Sequence, residues 1–344
     1  DPPVLVAPMA GITDAPFRRL VRRFGAGACY TEMAGSREIV VGDAKAAARA
    51  ALDPEELGGP DLVGVQIAGR EPGPVAEAAR RAEAAGAPLI DLNMGCPAKK
   101  VTGGLSGAAL MRDEDLAARL VEAAAEAVSV PVTVKMRLGW EALTAPALAR
   151  RVADAGARAI TVHGRTRGQF YTGRADWSAV AAVVAAAPVP VVVNGDVVDP
   201  ASARAALAAS GAAGVMLGRG VRGRPWLAAE IAAALAGRAG PEIPRGAALA
   251  GLIGEHYAAM LAHHGERVGA RAARKHLGWW LEGTAGAAML PRLLREGDPA
   301  RVAAALAGEL AESLEAEASA APGTHGTGTS GAGTAGAPVA RRAA

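Results

Sequence analysis

Cysteine is almost missing from this 344-residue sequence: Cys29 and Cys96 are the only two, too few for a disulfide framework. No charged-then-apolar leader opens the sequence at Asp1, and together these absences make a reducing cytoplasm the expected compartment. Long hydrophobic runs are missing too. Arg, Glu, Gly and Pro break the Ala-rich stretches before any reaches the ~18 residues of a membrane span, so no membrane is expected. The six histidines do not pair with cysteines or carboxylates at ligand spacing, which argues against a metal. Aromatic residues amount to 3%, so each can be weighed singly. Lysine is scarce as well: Lys45, Lys99, Lys100, Lys135 and Lys275 leave most of the positive charge to arginine. The net charge of +3 admits an anionic partner without establishing one.

What is present is a chain 51% hydrophobic, long enough for one large domain and a small one. Short apolar runs alternate with longer Ala, Leu and Arg stretches, the pattern of βα units on a parallel sheet. Strands are expected near Val4–Met9, Ala28–Glu32, Leu62–Ile67, Leu89–Asn93, Val132–Met136, Ala159–His163, Val191–Asn194 and Gly214–Leu217. Helices fit between them at Ala15–Phe24, Pro74–Ala85, Glu114–Val128, Pro146–Ala155, Trp177–Ala186 and Pro200–Ala209. Asp113 and Asp199 supply helix starts, and Gly86 and Gly156 supply stops. Eight units over roughly 230 residues match a (β/α)8 TIM barrel. The competing doubly wound sheet usually carries a Gly-rich turn after its first strand, and "APMAGITDAPF" lacks that fingerprint. Expected boundaries are a barrel over residues 1–240, a small C-terminal helical domain over 245–316 with helices Ala247–His264 and Gly269–Leu281, and a disordered Gly/Ala/Thr/Ser-rich tail over 318–344.

Polar residues interrupt the apolar strands at their carboxyl ends: Glu32, Gln66, Asn93, Lys135, His163, Asn194 and the pair Gly218-Arg219. In a barrel those ends share one face, where active sites are built. The Gly-rich turns "NGDV" and "LGRG" after the last two strands suit a phosphate group, because small residues let backbone N–H groups approach an anion. Arg219 adds a charge-assisted bond. Cys29 reads as a small buried hydrophobe. Cys96 differs: it lies just past a strand end, between Gly95 and Pro97, before the Gly-rich "KKVTGGLSGAAL". Thiols are mainly protonated at neutral pH, so one placed there is able to donate a proton.

Seven stretches in register, "APMAGITDAPFR", "VQIAG", "DLNMGCPAKKV", "VKMRLGW", "VHGRT", "NGDV" and "LGRG", resemble the tRNA-dihydrouridine synthases over the whole barrel. "RKHLGWWL" is similar to the helical tRNA-binding domain of the bacterial B-type subgroup, except that Trp280 stands where a tyrosine is expected. The resemblance implies an FMN enzyme that uses NADPH to reduce the C5–C6 double bond of selected uridines in tRNA. A monomer is expected, although nothing in the sequence decides the oligomeric state. Carried over by position, FMN contacts fall on Pro8, Met9, Ala10, Gln66, Lys135, His163, Asn194, Gly195, Asp196, Gly218 and Arg219. Cys96 matches the proton donor. Asn93, Arg137 and Arg165 are placed toward the substrate. Arg271, Arg274 and Lys275 recur on one face of the expected helix, where they either bind tRNA phosphates or form a solvated basic face. Trp279 and Trp280, beside Leu277 and Leu281, read as helix packing rather than base stacking. The competing reading is a small-molecule FMN oxidoreductase akin to dihydroorotate dehydrogenases, which leaves the basic helix without a task.

Overall fold

The computed structural model describes residues 3–57 and 62–320. Eight parallel strands close into a barrel: β1 (Val4–Val6), β2 (Ala28–Tyr30), β3 (Leu62–Ala68), β4 (Ile90–Met94), β5 (Val132–Arg137), β6 (Ala159–His163), β7 (Val191–Asn194) and β8 (Gly214–Leu217). Each pairs with its sequence neighbours, and β8 returns to β1 through Val4↔Val215, Leu5↔Met216 and Val6↔Leu217. A two-residue stretch, Ala34–Gly35, adds to the far end of β3.

Helices α1 (Ala15–Arg23), α2 (Pro72–Ala84), α3 (Glu114–Ala127), α4 (Ala145–Asp154), α5 (Ser178–Ala186), α6 (Pro200–Ser210) and α7 (Leu227–Leu235) surround the barrel. Their starts follow from local chemistry. Asp14, Asp113 and Asp199 each accept a bond from a first-turn backbone N–H, satisfying a donor that the helix itself leaves unpaired. Strands such as β5 and β6 read as apolar runs because they are covered on both faces, and Val134, Ile160 and Val193 are fully buried.

β1 stops three residues short of the expected Met9. Pro8 has no N–H for a ladder, and the chain turns so that Met9 O accepts from the N–H groups of Ile12 and Thr13. β2 ends at Tyr30, before Glu32, whose carboxylate instead accepts from Gly11 N. The turn after β1 is held from below by Arg18, buried with Glu56: its Nε and Nη2 donate to the two carboxylate oxygens at 2.7 and 2.6 Å. Further bonds reach Thr13 O and Ala51 O, both at 3.0 Å.

After the barrel come helices only: α8 (Gly246–His264), α9 (Glu266–Leu281), α10 (Leu290–Arg295), α11 (Pro299–Ala307) and α12 (Glu309–Ala320). α12 runs past residue 316 and covers 318–320, which had been expected to open the tail; residues 321–344 lie outside the described ones. The helices form a second core from Tyr257, Met260, Leu277, Trp280 and Leu306, and Leu20 of α1 and Trp226 of the barrel join it. That shared core docks the helices on the α1 side of the barrel. Trp280 packs there, and its Nε1 donates to His256 Nδ1 at 3.1 Å. Across the junction His264 Nε2 meets Asp14 Oδ2 at 2.8 Å. Among the described residues no helix is long and apolar enough to cross a membrane.

Candidate active site

A chain of hydrogen bonds starts inside the barrel, at Asp91 and Thr133 near the amino ends of β4 and β5, and runs through Gln66 and Asn93 toward Cys96. Strand register brings Gln66 beside Asp91 and Asp91 beside Thr133. Asp91 accepts from Thr133 Oγ1 and from Gln66 Nε2, each at 2.7 Å. A carboxylate accepts, so Gln66 must present its Nε2 to it, which leaves Gln66 Oε1 to accept from Asn93 Nδ2 at 2.9 Å. Asn93 is fixed by that bond, and its Oδ1 receives the backbone N–H groups of Cys96 at 2.9 Å and Gly95 at 3.2 Å. The orientation of the Cys96 turn is thus set from a buried carboxylate three links away. Burial pushes the Asp91 carboxyl above its usual range, against the bonds from Gln66 and Thr133.

Cys96 is half-buried at the base of a loop that closes on itself: Ala108 N donates to Cys96 O at 3.0 Å. Gly107 makes the return possible. Its φ is +61°, and a Cβ there would lie 2.9 Å from Cys96 O.

On the β5 to β8 side the site is cationic. Lys135 Nζ donates to Asn194 Oδ1 at 3.1 Å, and Asn194 Nδ2 donates to Met216 O at 2.8 Å, so one asparagine ties β5, β7 and β8 together. Burial, and then the nearby Arg137, pull the Lys135 ammonium down to about 8. His163 is held well below its usual range by burial and by Lys135, Arg137, Arg165 and Arg219 around it. Arg165 Nη1 lies 3.2 Å from His163 Nε2; a guanidinium cannot accept, so Nε2 is the acceptor and Nδ1 carries the proton. Neutral imidazole within four cations is what a dianionic phosphate would complement. Gly218 opens the short 3-10 turn Arg219–Val221, and a Cβ on it would meet nothing within 4 Å, leaving its backbone approachable beside the exposed Arg219.

The structure gives several expected residues a different task. Arg137 and Arg165 had been placed toward the substrate, yet both are 2% exposed and bind loop backbone. Arg137 donates to Gly95 O, Thr166 O and Phe170 O at 2.8–2.9 Å, joining the Cys96 turn to the loop after β6. Arg165 pairs with Asp196 Oδ2 at 2.6 Å and donates to Thr172 O and Gly173 O. Asp196, expected at the cofactor, spends its carboxylate on Arg165 and Ala175 N. Gly195 suits its turn for two reasons, a φ of +115° and a virtual Cβ only 2.8 Å from both Ala175 Cβ and His163 Cδ2.

Pro8 and Met9 are half-buried and Ala10 exposed at the β1 turn, on the same face as Gln66, Lys135 and Asn194. Arg271, Arg274 and Lys275 are exposed on α9. Lys275 reaches the β1 turn, since a Cβ on Gly11 would fall 2.8 Å from its Nζ. Missed by sequence reading were Asp91, Thr133 and Trp177, whose Nε1 donates to Gly195 O at 2.8 Å. The only available signal for Asp91 was the two-residue spacing to Asn93 in "IDLN", which puts both on one side of β4.

A parallel (β/α)8 barrel with its polar groups gathered at the strand carboxyl ends, a thiol loop at the mouth and a helical domain docked beside it is the architecture of a barrel enzyme. Comparison with known proteins narrows this. The family model described as dihydrouridine synthase matches residues 5–316. A protein of Rhodobacter capsulatus named probable tRNA-dihydrouridine synthase is 55% identical over 314 residues, covering 91% of this chain and 96% of that protein. One from Rhizobium leguminosarum with the same name is 49% identical, covering 88% and 93%. In Xanthomonas campestris a protein named tRNA-dihydrouridine synthase B is 47% identical, covering 81% and 83%. The chain belongs to the dihydrouridine synthase family.

Proposed function

We propose that this enzyme reduces the C5–C6 double bond of selected uridines in tRNA to 5,6-dihydrouridine, with FMN held in the barrel mouth and NADPH as reductant. The observation that carries the reading is the thiol of Cys96 on a tethered loop, held by Asn93 and Arg137 beside a wall formed by the cations Lys135 and Arg219 and the neutral His163. The residues present fit a phosphorylated flavin. Gly218 and Arg219 offer open backbone and charge for its phosphate, Lys135 and Asn194 offer donors within the mouth, and the amides of Gln66 and Asn93 line the floor.

FMN held by these residues would, once reduced, supply hydride for C6 of the uracil. Both electrons come with the hydride, and Cys96 supplies the proton that completes the addition: its Sγ–H gives the proton to C5, the thiolate left behind regains a proton from solvent, and the product is the saturated ring. Asn93 keeps the thiol turn aimed, and Arg137 keeps the neighbouring loop from drifting away from it. A uracil in a folded tRNA is stacked, so the site must offset an unstacking cost of a few kcal/mol. The basic face of α9, with Arg271, Arg274 and Lys275, supplies phosphate contacts toward that cost.

The test is anaerobic. The yellow protein is reduced with NADPH, unmodified tRNA is added, and flavin reoxidation is followed while the RNA is assayed for dihydrouridine. Reoxidation with product supports the reading, whereas a flavin that reoxidises only with a free pyrimidine moves the function to a small-molecule reductase. Cys96→Ala is expected to keep the flavin spectrum and lose most turnover; full activity in that variant removes the proton-donor role.

A further inference from the structure

In a chain with so few aromatic residues, three of them alternate with arginines across the barrel mouth. The Arg112 guanidinium lies 5.2 Å from the Trp140 ring, and Arg167 lies 4.4 Å from the same ring. Arg167 is also 5.1 Å from Phe170, Phe170 packs edge-on to Tyr171 at 6.4 Å, and Tyr171 carries Arg219 at 4.8 Å. These residues come from the loops after β4, β5, β6 and β8, so no single segment dictates the alternation. The inner end is the cationic wall of the site, where Tyr171 is 6.4 Å from His163. At the outer end a cavity of about 520 Å³ opens beside Trp140, in the range of a small-ligand pocket.

Three features favour a ligand over simple loop bracing. Tyr171, in contact with two guanidiniums, is 51% exposed, which wastes a large ring if packing were its task. Phe170 holds a φ of +51°, a conformation that costs a bulky residue of order 1–3 kcal/mol and that is pinned by Arg137. Arg167 Nε is buried without a hydrogen-bond partner among the described residues. The geometry points to a track for single-stranded RNA: the nucleotides flanking the extruded uridine stack on Tyr171, Phe170 and Trp140, with their phosphates on Arg167 and Arg112, while Arg219 stays with the flavin phosphate. Aromatic faces take any base, and interleaved guanidiniums take the backbone. Four carboxylates line the outer cavity, Glu114 and Asp115 paired with Arg151 and Asp113 and Glu141 beside them; they disfavour a phosphate inside it, so the cavity takes a base and Arg112 and Arg167 beside it take the chain.

This inference rests on the tRNA reading, and its test separates the two. Affinity of flavin-loaded protein for labelled unmodified tRNA is measured across a salt series for wild type, Trp140→Leu and Arg112→Gln. In parallel, tRNA carrying 4-thiouridine is photocrosslinked to wild type and the attachment residues are mapped. Trp140→Leu is expected to weaken binding about 5-fold or more, the lower end of one lost stacking contact. Arg112→Gln is expected to lower the salt slope by about one. Crosslinks are expected at Trp140, Phe170 or Tyr171. Flavin content and urea midpoints check that each variant is folded, and the exposed Arg112 gives a second variant should Trp140→Leu fail. Unchanged affinity and slope, with crosslinks confined to α9, overturn the track while dihydrouridine formation by wild type keeps the tRNA reading. If these variants raise the KM for NADPH with tRNA affinity unchanged, the track belongs to the reductant and the RNA assignment falls. Should wild type make no dihydrouridine, the tRNA reading fails, and the crosslinks alone decide for or against an RNA track.

Discussion

Glu56→Leu is expected to damage this protein more than any other single loss of a charged side chain, for reasons visible around Arg18. Both partners are nearly inaccessible, with side chains 2% exposed. In the native state the guanidinium has the two carboxylate oxygens of Glu56 and the carbonyls of Thr13 and Ala51. Removing Glu56 leaves a cation that cannot neutralise by losing its proton, in a place water cannot reach. Breaking one side of such a pair costs about 3–5 kcal/mol. At roughly 2 °C per kcal/mol for a domain of this size, the midpoint of thermal unfolding falls by about 6–10 °C. Arg18→Met/Glu56→Leu removes the stranded charge and is expected to be the more stable of the two variants. It does not return to wild type, because Thr13 O, Ala51 O and Asp53 N lose their partners. Urea unfolding of wild type, both single variants and the double, followed by circular dichroism, gives the cycle. A cost below about 1 kcal/mol for Glu56→Leu, or simple additivity in the double, would refute the argument that a buried unpaired charge dominates.

Gly195→Ala is expected to lower stability by about 1–3 kcal/mol and to weaken flavin binding, since its Cβ would strike Ala175 and His163; wild-type flavin content and midpoint would remove that claim. His264, paired with Asp14, has its imidazole raised above the usual value by that bond, while Asp14 is held low. The pair therefore contributes fully below the usual histidine range and fades as pH rises through the raised value, so His264→Gln should cost about 0.5–1 kcal/mol more at pH 5.5 than at pH 8.5 in urea titrations. Lys135 has the opposite sign: its native value near 8 lies below that of the unfolded chain, so burying its charge is a penalty below pH 8 that is relieved between about 8 and 10.5. Lys135→Met is expected to stabilise the flavin-free protein at pH 7, with the gain shrinking by pH 10, while flavin affinity falls; a less stable variant at pH 7 would contradict this.

The barrel was legible because every strand is covered on both faces and so spells an apolar run, and because polar residues cluster at one end of each run. Boundaries were less so. The end of β1 depends on Pro8 and a turn around Met9, and the end of β2 on Glu32 reaching to Gly11; both are tertiary events that no local pattern encodes. The motif resemblance agrees with the family match, and the small helices Ser36–Val40 and Lys99–Thr102 went unread because four or five residues carry no helical period.

The arginines show where residue-type reasoning stops. Arg137 and Arg165 lie at or just past strand ends, where an arginine is naturally read as a ligand for something anionic. Whether a guanidinium faces outward depends on how many loop carbonyls converge on it, and here those carbonyls come from Gly95, Thr166, Phe170, Thr172 and Gly173. The same two residues thereby become the means by which the thiol turn, the aromatic pair Phe170–Tyr171 and the β7 turn keep one geometry. Arg137→Lys keeps the charge but loses the fork, because an ammonium has no planar pair of donors to reach Gly95 and the Phe170 loop together. Its expected signature is a fall in kcat with bound flavin retained, since the Cys96 turn and the loop facing it would no longer be held at a fixed separation. A rise in tRNA KM with kcat unchanged would instead place Arg137 on the substrate.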